Sequence, residues 1–123
     1  MKDEKSEPED LRSRTNKFAL RIIRLYSALP KGAVAQTIGR QFLKSGTSPG
    51  AHYREACRAK SRADFISKME GALQEFDETA YWLELLGDSG VMPLKRLQPL
   101  LNETNELIAI FVTIVKRAKG NEK

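Results

Sequence analysis

The chain has 123 residues, with 21 Lys and Arg, 16 Asp and Glu and one His, for a formal net charge of +5. That length suits one domain and excludes a multi-domain enzyme, while 41% apolar residues exclude a fully disordered chain. The longest uncharged apolar run, Leu107 to Val115, spans nine residues, whereas a bilayer helix needs roughly 20.

Met1 to Glu9 is polar, contains Pro8 and lacks the apolar core of a signal peptide, so it is expected to be a disordered leader. Helical pattern then fills residues 10–119, and 120–123 reads as a disordered tail. The first helix is predicted over Asp10 to Leu29, with Asp10 as N-cap and Pro30 with Gly32 as the stop. Leu11, Thr15, Phe18, Ile22, Leu25 and Leu29 recur at spacings of three and four and make its inward face. Arg14, Lys17, Arg21 and Arg24 form a second stripe about 120° away.

The second helix starts near Ala33, with Val34, Ile38, Phe42 and Ser45 inward and Arg40 and Lys44 paired on another face. Ser45-Gly46-Thr47-Ser48-Pro49-Gly50 reads locally as a break, since proline removes a donor and glycine is a poor helix former. Helical pattern resumes at Tyr53, so a kinked long helix and two short ones are both compatible with the residues. The third helix is predicted over Ser61 to Leu86, opened by Ser61 with Asp64 in the manner of a capping box. Its seam is Ile66, Met69, Leu73, Phe76, Ala80 and Leu83. Glu70, Asp77 and Glu84 recur every seventh residue on another face. Gly87 to Gly90 ends it.

The fourth helix is predicted over Pro93 to Ala118, with an inner seam of Leu94, Leu97, Leu101, Thr104, Ile108, Phe111 and Val115. Leu100, Leu107, Ile110, Val112 and Ile114 widen that face beyond what one side of a small bundle needs, which suggests a subunit contact. Short connections and heptad-like spacing argue an all-α fold, an antiparallel up-down-up-down four-helix bundle.

Charge is partitioned sharply. Residues 12–63 hold twelve bases and one acid, Glu55, a net of +11, and the segments on either side are each net −3. Such asymmetry points to a nucleic-acid surface or to complementary contact between copies of the chain. The candidate phosphate ligands are Arg14, Lys17, Arg21, Arg24, Arg40, Lys44, Arg54, Arg58, Lys60 and Arg62. Seven of these ten are Arg, whose planar fork of donors suits phosphate. The competing reading is a solvated face paired with carboxylates of a neighbouring subunit. Aromatics number nine and fall mostly on apolar stripes, so base stacking is expected to be minor.

Other chemistry finds little footing. A di-metal carboxylate site needs two Glu-x-x-His motifs, and the single His52, three residues before Glu55, leaves the second without a histidine. Glu55 and Glu78 are expected instead as buried or half-buried partners of arginines or helix ends. Cys57 has basic neighbours that would lower a thiol pKa, but a buried small hydrophobe is the expected role. As the sole cysteine it excludes an internal disulfide and suits a reducing, cytoplasmic setting. Tyr81 and Trp82 are read as packing or interface residues. There is no P-loop, dinucleotide turn or nucleophile elbow, so no catalytic residue, cofactor or small-molecule substrate is expected.

The segment Gly46 to Phe65, GTSPGAHYREACRAKSRADF, and the segment Gln74 to Leu86, QEFDETAYWLELL, combine Ser48, Glu55, Phe65, Glu78 and Trp82 at fixed separations. In this the chain resembles a family of small bacterial four-helix-bundle proteins, many encoded by intervening sequences within 23S ribosomal RNA genes. The family usually has a β-branched residue where this chain has Pro49 and Asn where it has His52. The resemblance implies a bundle that assembles as a homopentamer with no established reaction. A distant branch of the fold, the accessory protein of diversity-generating retroelements, is a basic pentamer that binds a reverse transcriptase and nucleic acid. By fold analogy this implies RNA or a nucleoprotein as partner.

Overall fold

The structure, a computed structural model, describes residues 10–120. The expected leader, 1–9, and residues 121–123 lie outside it. Four helices follow in order: α1 (Leu11–Ser27), α2 (Ala33–Cys57), α3 (Arg62–Asp88) and α4 (Leu94–Gly120). Each packs against the next, most extensively α2 with α3, and α4 closes the ring by a slight contact with α1. This is the expected antiparallel up-down-up-down bundle. Gly120, assigned by sequence to the tail, is the last residue of α4.

The helix starts follow local chemistry. The Asp10 side chain accepts from the Arg12 amide at 2.9 Å, and Ser61 Oγ accepts from the Asp64 amide at 3.0 Å, each satisfying one donor that the first turn leaves without a partner. Gly32 caps α2 without a side-chain bond. The turn before α2 is held instead by Gln36, whose Nε2 donates to the Pro30 carbonyl at 2.9 Å. Gly90, with φ of +78°, makes the turn into α4 in the left-handed region.

The 45–50 segment departs from its local signals. α2 runs unbroken through it, with Pro49 inside the helix and buried. The buried seam of α2 is Ala35, Gly39, Phe42, Gly46, Pro49 and Ala56, a heptad-like register of mostly small residues. At Gly46 a Cβ would lie only 2.6 Å from Ile22 Cδ1 and Cγ1, so the missing side chain is what lets α1 and α2 approach. Burial of this seam offsets the roughly 3 kcal/mol that a mid-helix proline costs. Thr47 and Ser48 donate side-chain bonds of 2.8 and 2.7 Å to the Leu43 and Lys44 carbonyls just upstream. Because small residues carry little hydropathy, the expected face of α2 covers only part of the buried one. Phe42 and Ser45 are buried, Ile38 is half-buried, and Val34 is 60% exposed.

The centre of the bundle is aromatic. Phe76 meets Phe18 and Phe111 edge-on, at centroid distances of 5.5 and 5.2 Å, and Tyr53 lies 5.8 Å from Phe111. Ser45 and Thr79, both buried, place their hydroxyls 2.9 Å apart, each with a helix carbonyl in reach, so neither is left unpaired in the core. On α4, Leu100 and Leu107, assigned by sequence to a surplus face, are buried within the monomer, whereas Ile110, Val112 and Ile114 are half-buried. Leu94, expected inside, is 52% exposed on the first turn of α4, against Gly87.

Candidate nucleic-acid interface

On the α4 side of α1, Arg14 does not join a phosphate surface. Its Nε and Nη2 donate to both carboxylate oxygens of Glu103 at 2.9 Å, and Nη2 also donates to Glu106. The side chain is 18% exposed. The Glu103 hydrogen bond, opposed by partial burial and aided by Glu106, raises the guanidinium pKa above its already high value. Arg14 is therefore a clamp between α1 and α4, its guanidinium already engaged by two carboxylates. The carboxylates that engage it lie ninety residues away in sequence, out of reach of any local pattern.

Two to three turns further along, the same groove changes character. Arg21 and Arg24 from α1 and Arg96 from α4 line a cleft floored by Leu25, Pro99 and Leu100, with no carboxylate in its lining. On the opposite flank of α1, Arg12 and Arg54 line a second cleft, floored by Thr47, Gly50 and Ala51 of α2, again without an acid. Between the first cleft and Arg14, the groove holds Lys17 and Arg21 beside Glu103 and Glu106. α1 thus carries arginine clefts on both sides, separated by an outer surface on which Leu20 and Ile23 are exposed.

The remaining nominated cations are spread more widely. Arg40 and Lys44 are exposed on α2, and Arg58, Lys60 and Arg62 are exposed where α2 gives way to α3. No described cleft unites them with Arg21 or Arg54. Two residues of the clefts escaped the sequence reading. Arg12 lies in the +11 block but off the three-and-four stripe of α1. Arg96 lies in the net-anionic second half, where nothing in the sequence sets it apart.

The acids occupy the other side. Glu70, Asp77 and Glu84 are exposed on α3, with Glu70 paired to Lys119 at 2.8 Å. Glu55 and Glu78, expected to be buried partners, are both exposed; each falls on the outward side of its helix. Glu75 is half-buried, and burial, reinforced by Glu78 and opposed by His52 and Lys44, holds its carboxyl above the usual range. Cys57, expected inside, is exposed as the last residue of α2. Tyr53 one turn earlier is half-buried, and burial together with the Cys57 thiol pushes its hydroxyl up to about 12. Tyr81 is exposed and stacks edge-on against half-buried Trp82, with centroids 4.9 Å apart.

Among the described residues, no three His, Cys, Asp or Glu side chains gather as a metal-holding group, and no helix is long and apolar enough to cross a membrane. What the geometry sets out is guanidinium groups lining clefts on a helical frame.

A comparison with curated proteins finds no match. Among solved structures, the chain is similar to a protein of unknown function from the S23 ribosomal protein family of Bacteroides thetaiotaomicron. The two share 38% identity with a TM-score of 0.82, over 87% of this chain and 99% of that one. A family model described as 23S rRNA-intervening sequence protein matches residues 9–113. With nearly the whole bundle inside that match and the same helical frame in a solved relative, the chain belongs to the 23S rRNA-intervening sequence protein family.

Proposed function

We propose that this protein is a non-enzymatic, cytoplasmic homo-oligomer that associates with structured RNA through the two flanks of α1. The observation that carries the reading is the pair of acid-free arginine clefts flanking α1, built by Arg21, Arg24 and Arg96 on one side and Arg12 and Arg54 on the other. Arginine forks match phosphate oxygens in pairs, and the cations of both clefts flank a single helix. The family description, which names an intervening sequence of 23S rRNA, agrees with an RNA setting. The family resemblance supports a pentamer as the assembly.

The test is a titration of a labelled ribosomal hairpin at 50 and 200 mM salt. If the five cleft arginines each engage one phosphate, affinity falls roughly 100- to 500-fold over that range, from a slope of about 0.7–0.9 per phosphate. Absence of binding at 50 mM salt overturns the proposal.

A second reading, an interaction scaffold whose charges serve only assembly, is favoured by one observation: Arg14 is already spent on Glu103 and Glu106. Reversing Arg21→Glu and Arg24→Glu separates the two. Loss of RNA binding with the oligomer intact supports the RNA reading. Dissociation of the oligomer, with native protein that carries no nucleic acid through purification, supports the scaffold.

A further inference from the structure

The α1–α4 cleft is more compact than a track for a polyanion. Arg21, Arg24 and Arg96 enclose it over a floor of Leu25, Pro99 and Leu100, and these six residues make up its lining. Three arginines from two helices therefore line one cleft whose own lining holds no acid, the nearest carboxylates being Glu103 and Glu106, which share the adjoining groove with Arg21.

Folding explains Arg24, which lies in the last turn of α1, where a cation complements the helix dipole. It does not explain Arg96. Arg96 is the third residue of α4, at the positive end of that helix, and Lys95 precedes it. The first turn of α4 contains no acidic residue to offset them. A cation at that position costs stability unless an anion sits beside it. Arg14, by contrast, shows what this groove does with an arginine when a carboxylate is available: it is clamped from two sides.

We infer that the Arg21–Arg24–Arg96 cleft is a seat for a single phosphate monoester, the terminal phosphate of a nucleic-acid strand. The inference rests on the RNA reading and goes beyond it, because it assigns the strand end rather than the backbone to this cleft. A terminal phosphate carries a charge of about −1.5 to −2 near neutrality, against about −1 for an internal phosphodiester, so it is the better match to a cleft lined by three arginines and no acid. Arg96 donates from the α4 side and Arg21 with Arg24 from the α1 side.

The test uses two RNA decamers of one sequence with a 3′ fluorophore, one with a 5′ phosphate and one with a 5′ hydroxyl, each titrated against the full chain. The phosphorylated strand is expected to bind roughly tenfold more tightly. Arg96→Gln removes that preference, and Arg40→Gln, on the outer face of α2, retains it. Arg96→Gln also leaves thermal stability undiminished, since no ion pair of Arg96 is present among the described residues to be lost. Equal affinity for the two strands overturns the inference while leaving the RNA reading intact. If neither strand binds, inorganic phosphate decides. Perturbed Nε–H resonances of Arg21, Arg24 and Arg96 support the cleft although the RNA reading has failed, and unperturbed ones overturn it.

Discussion

The contact between α1 and α2 can be challenged at Gly46. Replacing Gly46 with Ala places a methyl group 2.6 Å from Ile22 Cδ1, 2.6 Å from Cγ1 and 2.8 Å from Cγ2. Two of those atoms are attached directly to Cβ, and Ile22 is fully buried. A β-branched side chain has one strongly preferred rotamer in a helix, so it cannot swing aside, and relief requires α1 and α2 to move apart. Overpacking of this kind costs about 1–3 kcal/mol. Alanine is better than glycine in a helix interior by about 0.8–1.0 kcal/mol, so the net expectation for Gly46→Ala is a loss of about 1 kcal/mol. Gly50 supplies the contrast. A Cβ there comes no closer than 3.3 Å to Thr15 Oγ1 and 3.5 Å to Thr15 Cβ, and Gly50→Ala is expected to be neutral or stabilising by up to about 1 kcal/mol. The assay is urea denaturation followed by circular dichroism at one protein concentration, which holds any assembly linkage fixed. Ile22→Ala removes all three opposing atoms, so in that background Gly46→Ala becomes favourable and the double-mutant cycle shows a coupling of about 1–3 kcal/mol. If Gly46→Ala alone stabilises the native protein by the full helix-propensity gain, the close-approach argument is refuted.

Three further outcomes can be checked. Arg14→Gln leaves Glu103 and Glu106 without their shared cation and is expected to cost about 1–2 kcal/mol in the same assay. Most of that cost disappears in the Glu103→Gln background. Tyr53 is expected to ionise at about 12, read as a step of an alkaline absorbance titration that Tyr53→Phe removes. Its raised pKa contributes stability that is complete below the ordinary tyrosine value of about 10 and lost as pH rises through about 12. Glu75 also has a raised pKa in the fold, so its contribution is complete below the ordinary carboxylate range and lost as pH rises through its folded value. Glu75→Gln is accordingly expected to stabilise the protein at pH 7 relative to wild type and to lose that advantage at pH 4, measured as the difference in urea midpoint.

The helices were legible because three- and four-residue apolar spacing is a local property. Thr15, Phe18 and Ile22 of α1, and Met69, Phe76 and Leu83 of α3, are buried as their spacing requires, and Asp10 and Ser61 cap as their positions predict. The seam of α2 was less legible, because Ala35, Gly39 and Gly46 face the core without carrying hydropathy. A search for small residues at heptad spacing, rather than large ones, would have found it. Whether α2 continues through Pro49 was left open between one long helix and two short ones, since the cost of the proline is local and its compensation is not. Cys57, Glu55 and Val34 were misplaced for a related reason: exposure depends on which neighbour covers a face and how far it extends.

The cationic surface divides in the same way. Composition alone placed twelve bases in residues 12–63, and the stripe on α1 followed from helical geometry. Which of those bases stay available was decided between helices. Glu103 and Glu106 of α4 occupy Arg14, while Arg96 of the same helix joins Arg21 and Arg24. Periodicity along one chain segment sets which residues share a face, because rise and turn per residue are constants of the helix. Pairing across the bundle depends on the register at which two faces meet, and that is set by the packing of the whole core.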